Sequence, residues 1–234
     1  MLISPSVLHR VPIRYMIQII AMVACVFLSS VSGFAGTDSV SSGGDLQLFM
    51  ARLEESSAKI ESFQADFVQE KELSLFAQTM TFHGLLVVVR PDKLRWEFTT
   101  PVPSLLLLSS DSGVRCSGET KPVKFDLKTD PIMGNVAEQL WLWLGGDYSR
   151  LDQTFTIEMA GENSLLIRPK DSTVSEYIEQ VIITFDSSNM QPERVVIMEP
   201  GGDLTRLMFS NYSFNIKPSE QMFSRCAIQP PHVN

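Results

Sequence analysis

Histidine and cysteine are scarce in this sequence, with three residues of each among 234. It contains no HExxH motif, no paired-cysteine zinc spacing, no GxSxG elbow, no phosphate-binding loop and no dinucleotide fingerprint. Acidic residues are scattered over predicted strands and turns, and no pair of them suggests acid–base catalysis. The sequence therefore predicts no enzyme, no cofactor and no metal site. A hydrolase built on Cys116 and His83 is the enzymatic alternative.

Basic residues are also few. The 19 lysines and arginines are outnumbered by 27 aspartates and glutamates, which gives a formal net charge of −8. Because proteins bind phosphate backbones through clustered lysine and arginine, this balance argues against a nucleic-acid partner. Nothing in the sequence requires an oligomer, so we expect a monomer.

The N-terminal segment has no apolar run long enough for a membrane span. Met16–Leu28 falls short of the roughly 20 residues that a bilayer requires. It follows Arg10 and Arg14 and precedes the small residues around Gly33–Ala35, an order typical of a signal peptide. We predict a signal peptide over residues 1–35 and an exported single domain over 36–234, with 199 residues and a formal charge of −10.

The three cysteines leave two questions open. Cys25, after Met22-Val23-Ala24, faintly resembles a lipoprotein cleavage site whose cysteine would carry a lipid. The apolar run continues past Cys25, which favours ordinary signal-peptide cleavage. The processed chain keeps Cys116 and Cys226, which an oxidising compartment could pair or leave as free thiols.

Downstream of a Ser- and Gly-rich leader, the pattern predicts one helix and then many strands. Asp45 is expected to cap an amphipathic helix that runs to about Glu61. The next strand alternates and places Phe63, Ala65 and Phe67 on one face. Further strands are predicted at Phe76–Val89, Lys93–Thr99, Ser104–Ser109, Val114–Ser117, Phe155–Met159, Ser164–Arg168, Tyr177–Asp186, Arg194–Glu199 and Leu204–Phe214.

Short turns between these strands predict an antiparallel meander. The four consecutive leucines of Ser104–Ser109 leave no polar face, so this strand is expected to be covered on both sides. The fold class is therefore predicted to be α+β: one large, strongly curved antiparallel sheet with two or three helices against one face.

A second long helix is predicted between the capping pair Asp130-Pro131 and the stop at Gly145-Gly146. Trp141 is displaced from its main apolar side. The helix shows more apolar surface than a surface helix usually does, which indicates packing on two sides or cover for an apolar ligand. The apolar side carries Val136, Leu140, Trp143 and Leu144.

The stretch Gly84–Thr99 predicts two neighbouring strands joined by a tight turn. Its second half alternates charged and apolar residues, which places Leu94, Trp96 and Phe98 on one face. Arg90 ends the apolar first strand, and a charge there is costly to bury unless it is hydrogen-bonded. Arg90 is therefore either a solvated strand end or a charge held over an apolar cavity.

Residues 63–98 resemble the periplasmic outer-membrane lipoprotein carrier family, the LolA-like proteins. The similarity rests on Ser62–Gln69, on Gly84 and on Arg90–Glu97, which match the family's order of S-F-x-A-x-F-x-Q, a spaced glycine and R-P-x-x-x-x-W. Asp111-Ser112-Gly113 occupies the place of the family's D-G turn. The W-x-Y-D-P type segment that usually follows this turn is replaced here by Val114–Gly118.

The resemblance implies an unclosed β-barrel whose helices cover an apolar cavity that binds acyl chains. It implies a shuttle in the periplasm that takes lipoproteins from an inner-membrane ATP-driven releasing complex to an outer-membrane receptor. Arg90 matches the arginine that holds the covering helix closed through backbone carbonyls. The ligand-binding residues expected from the match and the strand pattern are Arg90, Leu94, Trp96, Phe98, Leu86, Val88, Leu140 and Trp143.

Besides the hydrolase, three alternatives remain. The chain could be an outer-membrane lipoprotein receptor of the same sheet architecture, anchored through Cys25. The departure after the D-G turn also allows a carrier of another envelope lipid. A structural envelope protein would bind no lipid at all.

Overall fold

The computed structural model describes residues 43–75, 78–118, 121–146, 148 and 151–227. All of these residues belong to one compact unit. The predicted signal peptide, Cys25 and His232 lie outside the described residues. Within the described part of the chain, no helix is both long and apolar enough to cross a membrane.

The described part of the chain forms one antiparallel sheet of eleven strands. The spatial order is β6-β5-β4-β3-β2-β1-β11-β10-β9-β8-β7, so β6 and β7 form the two edges and the sheet is not closed. The strands are β1 Ser62–Glu72, β2 Thr79–Val89, β3 Lys93–Thr100, β4 Ser104–Ser109, β5 Ser112–Ser117, β6 Val123–Asp126, β7 Phe155–Gly161, β8 Ser164–Pro169, β9 Gln180–Phe185, β10 Pro192–Met198 and β11 Leu204–Phe214.

Two long helices accompany the sheet, which confirms the predicted α+β class. They are α1 Gly43–Ser57 and α2 Pro131–Leu144; shorter turns of helix are α3 Leu151–Thr154, α4 Ser172–Ser175 and a 3-10 helix at Glu220–Phe223. The Asp130 side chain caps α2 as predicted, because its carboxylate accepts a hydrogen bond from the Met133 backbone N–H at 3.0 Å. Gly145 is the C-cap of α2.

Several predicted boundaries are wrong, and the predicted strand start at Phe76 lies outside the described residues, where β2 begins at Thr79. Asp45 is not the N-cap of α1, since the helix begins at Gly43 and Asp45 lies in its first turn, where the helix dipole favours a carboxylate. The helix ends at Ser57 rather than near Glu61, because residues 58–60 turn the chain into β1. The strand predicted from Tyr177 begins only at Gln180, after the short helix α4.

The sheet has two faces that the register identifies. The inner face carries Phe63, Ala65 and Phe67 of β1 and their cross-strand neighbours, and the outer face is the opposite one. Leu105 to Leu108 are all at most 4 % exposed, with Leu106 and Leu108 on the inner face and the other two on the outer face. Strand β4 is therefore covered on both sides, as its four leucines predict.

Candidate functional site

The five predicted site residues on β2 and β3 share the inner face. Leu86 pairs with Trp96 and Val88 with Leu94, so the side chains of each pair stand side by side. Phe98 follows Trp96 on the same side of β3. All five are at most 8 % exposed. The predicted common face of Leu94, Trp96 and Phe98 is confirmed, while a binding role for these residues stays a prediction.

Phe67 of β1 is at the centre of an aromatic cluster on this face. Its ring centroid lies 5.6 Å from that of Trp96, 5.2 Å from that of Phe98 and 6.4 Å from that of Phe209. Phe82 continues the cluster at 6.0 Å from Phe98. Gly84 leaves the room that the Phe67 ring occupies, since a Cβ at Gly84 would lie 2.3 Å from a carbon of that ring.

Both long helices contact the inner face. Phe49 of α1 packs edge-on against Phe185 of β9, with 5.7 Å between ring centroids. Trp143 of α2 packs in the same way against Phe155 of β7 at 6.5 Å. The predicted site residues Leu140 and Trp143 are both half-buried on α2. The helices thus cover the apolar inner face, and part of the apolar surface of α2 remains accessible.

Arg90 is hydrogen-bonded rather than solvated. Its Nη1 donates to the carbonyl oxygens of Ser57 at 2.5 Å and Ile60 at 2.7 Å, and its Nη2 donates to Ser57 Oγ at 2.9 Å. The Arg90 backbone N–H also donates to Glu61 O at 2.9 Å. These acceptors belong to the end of α1 and the turn into β1, so Arg90 fastens the end of β2 to the end of α1.

The guanidinium of Arg90 also contacts the segment that follows α2. Gly146 has a φ of +83°, and a Cβ there would lie 2.4 Å from Arg90 Cζ and 2.2 Å from Ser57 Oγ. Burial lowers the pKa of Arg90, and the nearby Tyr148 opposes this shift. Burial raises the pKa of Tyr148 to about 12, with the Arg90 charge opposing it. Arg90 is thus the point where the ends of both covering helices meet the sheet.

The inner face becomes polar toward the far end of β1. Gln69 and Lys71 are 2 % and 5 % exposed. Lys71 Nζ forms an ion pair with Glu199, whose Oε1 also accepts a hydrogen bond from Thr205 Oγ1 at 3.4 Å. A buried charge is tolerable only when it is paired, and this pair meets that condition.

The outer face of β2–β5 is covered by residues 215–227, which we call the C-terminal strap. Phe223 of the strap packs with Leu85 and Val87 of β2. Cys226 forms a disulfide with Cys116 of β5, which settles the question of pairing left open by the sequence. The paired Cys116 has no free thiol, and His83 lies exposed on β2. The hydrolase alternative therefore lacks its proposed nucleophile.

A buried ion pair on β3 lies under the strap and binds it through hydrogen bonds. Arg95 and Glu97 are 2 % and 0 % exposed, with 2.6 Å between Nη2 and Oε2. Arg95 also donates to Met222 O at 2.8 Å and to Ala227 O at 2.5 Å. The described residues contain no cluster of His, Cys, Asp and Glu side chains that could hold a metal ion.

Comparison with known proteins identifies the family. The family model described as outer membrane lipoprotein carrier protein LolA matches residues 58–226. This chain belongs to the LolA family. The match includes all eleven described strands, the disulfide and Arg90, and it ends at Cys226. No curated protein sequence matches the chain.

Several solved structures are similar to this LolA family chain. A LolA superfamily protein from Nitrosomonas europaea is 13 % identical, with a TM-score of 0.43 over 76 % of this chain and 97 % of that one. A conserved protein from Thermus thermophilus is 12 % identical, with a TM-score of 0.49 over 78 % and 94 %. The Mycobacterium tuberculosis lipoprotein LppX is 11 % identical, with a TM-score of 0.42 over 76 % and 99 %. At these identities the likeness concerns the fold alone.

Sequence reasoning missed four features of this LolA family site. The Ser57 and Ile60 carbonyls are backbone atoms and leave no pattern in the sequence. Tyr148 lies outside the predicted helix, and the burial of Gln69 depends on its neighbours across the sheet. The burial of Gln69 did have a sequence clue, because in an alternating strand Gln69 lies on the same face as Phe63, Ala65 and Phe67.

Proposed function

We propose that this chain is a periplasmic carrier that binds the acyl chains of lipoproteins and shuttles them from the inner to the outer membrane. The observation that supports the proposal best is the inner face, whose large apolar part is covered by two helices. Its wall includes Leu86, Trp96 and Phe98, and its cover includes Trp143. Family membership supports the same role, because the family is described as an outer membrane lipoprotein carrier.

The energetics of an acyl chain suit such a surface. Each buried methylene contributes about 0.8 kcal/mol, so a chain that displaces the helices from the inner face would be held firmly. A carrier must also release its cargo. The hydrogen bonds of Arg90 stabilise the closed, empty form, and cargo has to displace the helices that they hold. The cost of opening then subtracts from the affinity for cargo.

The partners follow from this role. Cargo would come from an inner-membrane ATP-driven lipoprotein-releasing complex and pass to an outer-membrane receptor. The carrier needs no cofactor, because burial and release of apolar surface involve no covalent step.

A competition experiment tests the proposal. The exported, processed protein is loaded with an apolar fluorescent probe and titrated with a diacylated lipopeptide or with the same peptide lacking its acyl chains. We expect the lipopeptide alone to displace the probe. The proposal fails if neither peptide displaces it, and displacement only by phospholipid or free fatty acid would instead indicate a carrier of another envelope lipid.

Mass spectrometry of the processed N terminus separates the carrier from the receptor. A chain that begins at an unmodified Gly36 is expected of a carrier that moves between membranes. A lipidated Cys25 would contradict the proposal and would assign the chain to the anchored receptor.

Replacement of Arg90 tests the release step. Arg90→Leu removes three hydrogen bonds to the end of α1, so the closed form loses stability and cargo is retained. We expect slower transfer of lipopeptide from the variant to acceptor vesicles. Arg168→Leu is the matched control, because this arginine forms an exposed pair with Glu158. Equal transfer rates for Arg90→Leu and wild type would contradict the proposed role of Arg90.

A further inference from the structure

Four buried side-chain nitrogens have no hydrogen-bond partner within the described part of the chain. They are Gln69 Nε2, Arg90 Nε, Trp96 Nε1 and Trp143 Nε1. All four lie on the inner face or on the helix that covers it. A buried donor without a partner costs about 1–3 kcal/mol, and native proteins contain few of them. Their concentration on one side of one sheet indicates a site whose acceptors come from a ligand.

Gln69 and Trp96 belong to the sheet, where the register gives their surroundings. Gln69 stands between Phe82 of β2 and Leu207 of β11, neither of which offers a side-chain acceptor. Trp96 stands between two leucines, Leu86 and Leu106. Buried indole N–H groups usually find a partner, so the Trp96 nitrogen is unusual in this setting.

The aromatic ring of Phe67 connects the two donors. Gln69 follows Phe67 by two residues on the same face of β1, and the Trp96 ring lies 5.6 Å from the Phe67 ring. A ligand that lies along Phe67 can therefore meet both N–H groups. The same ligand would contact Phe98, 5.2 Å from Phe67, with its apolar part.

The charges near Gln69 are already paired. Lys71 is bound to Glu199, and Glu199 Oε1 also accepts from Thr205. Neither Gln69 nor Trp96 carries a charge. An anionic group would find only neutral donors here, and a buried anion without a counter-charge is costly. A neutral acceptor is favoured, and the neutral acceptors of an acylated molecule are its carbonyl oxygens.

We infer that Gln69 Nε2 and Trp96 Nε1 donate hydrogen bonds to the ester or amide carbonyl oxygens that join the acyl chains to the cargo. The inference rests on the proposed function, because it requires acyl chains on the inner face. It adds a recognition step: the protein distinguishes acyl chains by their linkage as well as by their apolar length.

A pair of lipopeptides that differ only in their linkage tests the inference. One carries two ester-linked chains, and the other carries two ether-linked chains of the same length, which lack the carbonyl oxygens. Each hydrogen bond contributes about 0.5–1.5 kcal/mol, so we expect wild type to bind the ester form roughly two- to twelvefold more tightly per donor. A third lipopeptide carries the two ether-linked chains and an added N-acyl amide. Its affinity measures how far an amide carbonyl replaces the ester carbonyls.

The variants Gln69→Met and Trp96→Phe remove one donor each and keep an apolar side chain at the site. Because phenylalanine is smaller than tryptophan, each variant is judged by its own ratio of ester to ether affinity. In each variant the ratio of ester to ether affinity is expected to fall by roughly two- to twelvefold. Gln64→Met is the matched control, because Gln64 lies on the outer face of the same strand. It is expected to keep the full preference.

Stability of the empty protein provides a second readout. A donor without a partner contributes nothing to the empty fold, so Gln69→Met should leave its thermal stability unchanged or higher. Loss of stability would indicate a structural hydrogen bond and would overturn the inference, as would equal binding of the two lipopeptides by wild type. If wild type binds neither lipopeptide, the proposed function itself fails.

Discussion

Strands β3 and β4 are buried on both faces of the sheet, but the two faces are stabilised differently. On the outer face, the buried guanidinium of Arg95 binds Glu97 and two carbonyl oxygens of the strap, and a disulfide closes the edge. On the inner face, Gln69 and Trp96 have buried donors without partners in the described residues. No covalent link among those residues joins the covering helices to the sheet.

The strap on the outer face is therefore suited to be a permanent cover, whereas the helices on the inner face are suited to be displaced. Removal of the strap would leave the buried Arg95 without its two carbonyl partners and expose apolar residues of β2 and β4, so the outer face is suited to stay closed. Opening the inner face breaks the hydrogen bonds of Arg90 and exposes apolar surface that an acyl chain can cover again. Under the proposed function, the outer face provides the stability that lets the inner face open without unfolding.

Removal of the disulfide is expected to have the largest effect on stability. Replacing Cys116 and Cys226 by serine opens a loop of 110 residues, which lowers the free energy of unfolding by about 4–5 kcal/mol in the chain-entropy model. Denaturant titration measures the loss. Lipopeptide binding by the folded variant should be unchanged, because the disulfide lies on the outer face.

The same experiment contains its own control. Reductant should destabilise wild type to the level of the double serine variant and leave that variant unaffected. A variant that keeps its stability but loses lipopeptide binding would contradict the assignment of the two faces.

A side chain added at Gly146 is expected to have an intermediate effect on stability. The effect should be confined to the inner face. Gly146→Ala places a methyl group against Arg90 and Ser57 at a positive φ, whereas Gly118→Ala has a φ of +50° with nothing within 4 Å of the new Cβ. Both changes carry backbone strain, but only the first displaces Arg90. We expect Gly146→Ala to lower the free energy of unfolding by about 2 kcal/mol more, the value of a hydrogen bond to a charged group.

Cargo transfer distinguishes this effect from general destabilisation. Gly146→Ala should slow the transfer of lipopeptide to acceptor vesicles, as Arg90→Leu does, and Gly118→Ala should transfer normally. If both glycine variants transfer at the wild-type rate, contact between Arg90 and the segment after α2 has no part in release.

The strand pattern and the inner face could be predicted because alternation determines which residues share a face. Leu94, Trp96 and Phe98 alternate with charged residues and were placed correctly, and the four leucines of β4 indicated cover on both sides. The cap of α2 could be predicted because Asp130-Pro131 is a local signal.

The cover of the outer face could not be predicted in the same way. Arg95 and Glu97 follow the pattern of a solvated face, yet they are buried under carbonyls that lie 127 and 132 residues further along the chain. Alternation says which residues share a face and not what covers that face. The only sequence clue was Cys116 with Cys226, and two cysteines alone do not show that they meet.

Alkaline pH is expected to have the smallest effect on stability. It acts through Tyr148, beside Arg90 on the inner face. Burial raises the pKa of Tyr148 to about 12, above the value of about 10 in an unfolded chain. The unfolded state therefore loses the Tyr148 proton first, and the stability that this group contributes is complete below pH 10 and is lost as the pH rises toward 12. Between pH 9 and pH 11 the loss amounts to about 1 kcal/mol.

Tyr148→Phe should remove that part of the pH dependence. Tyr212, whose pKa burial also raises, will keep part of the alkaline slope in the variant. Tyr177→Phe is the matched control for the loss of a phenolic hydroxyl, because this tyrosine is 40 % exposed. Denaturant titrations of the three proteins at pH 9 and pH 11 make the comparison. Equal slopes for wild type and Tyr148→Phe would show that the hydroxyl beside Arg90 is as well solvated in the folded protein as in the unfolded chain, and that the ends of the covering helices are open to water even without cargo.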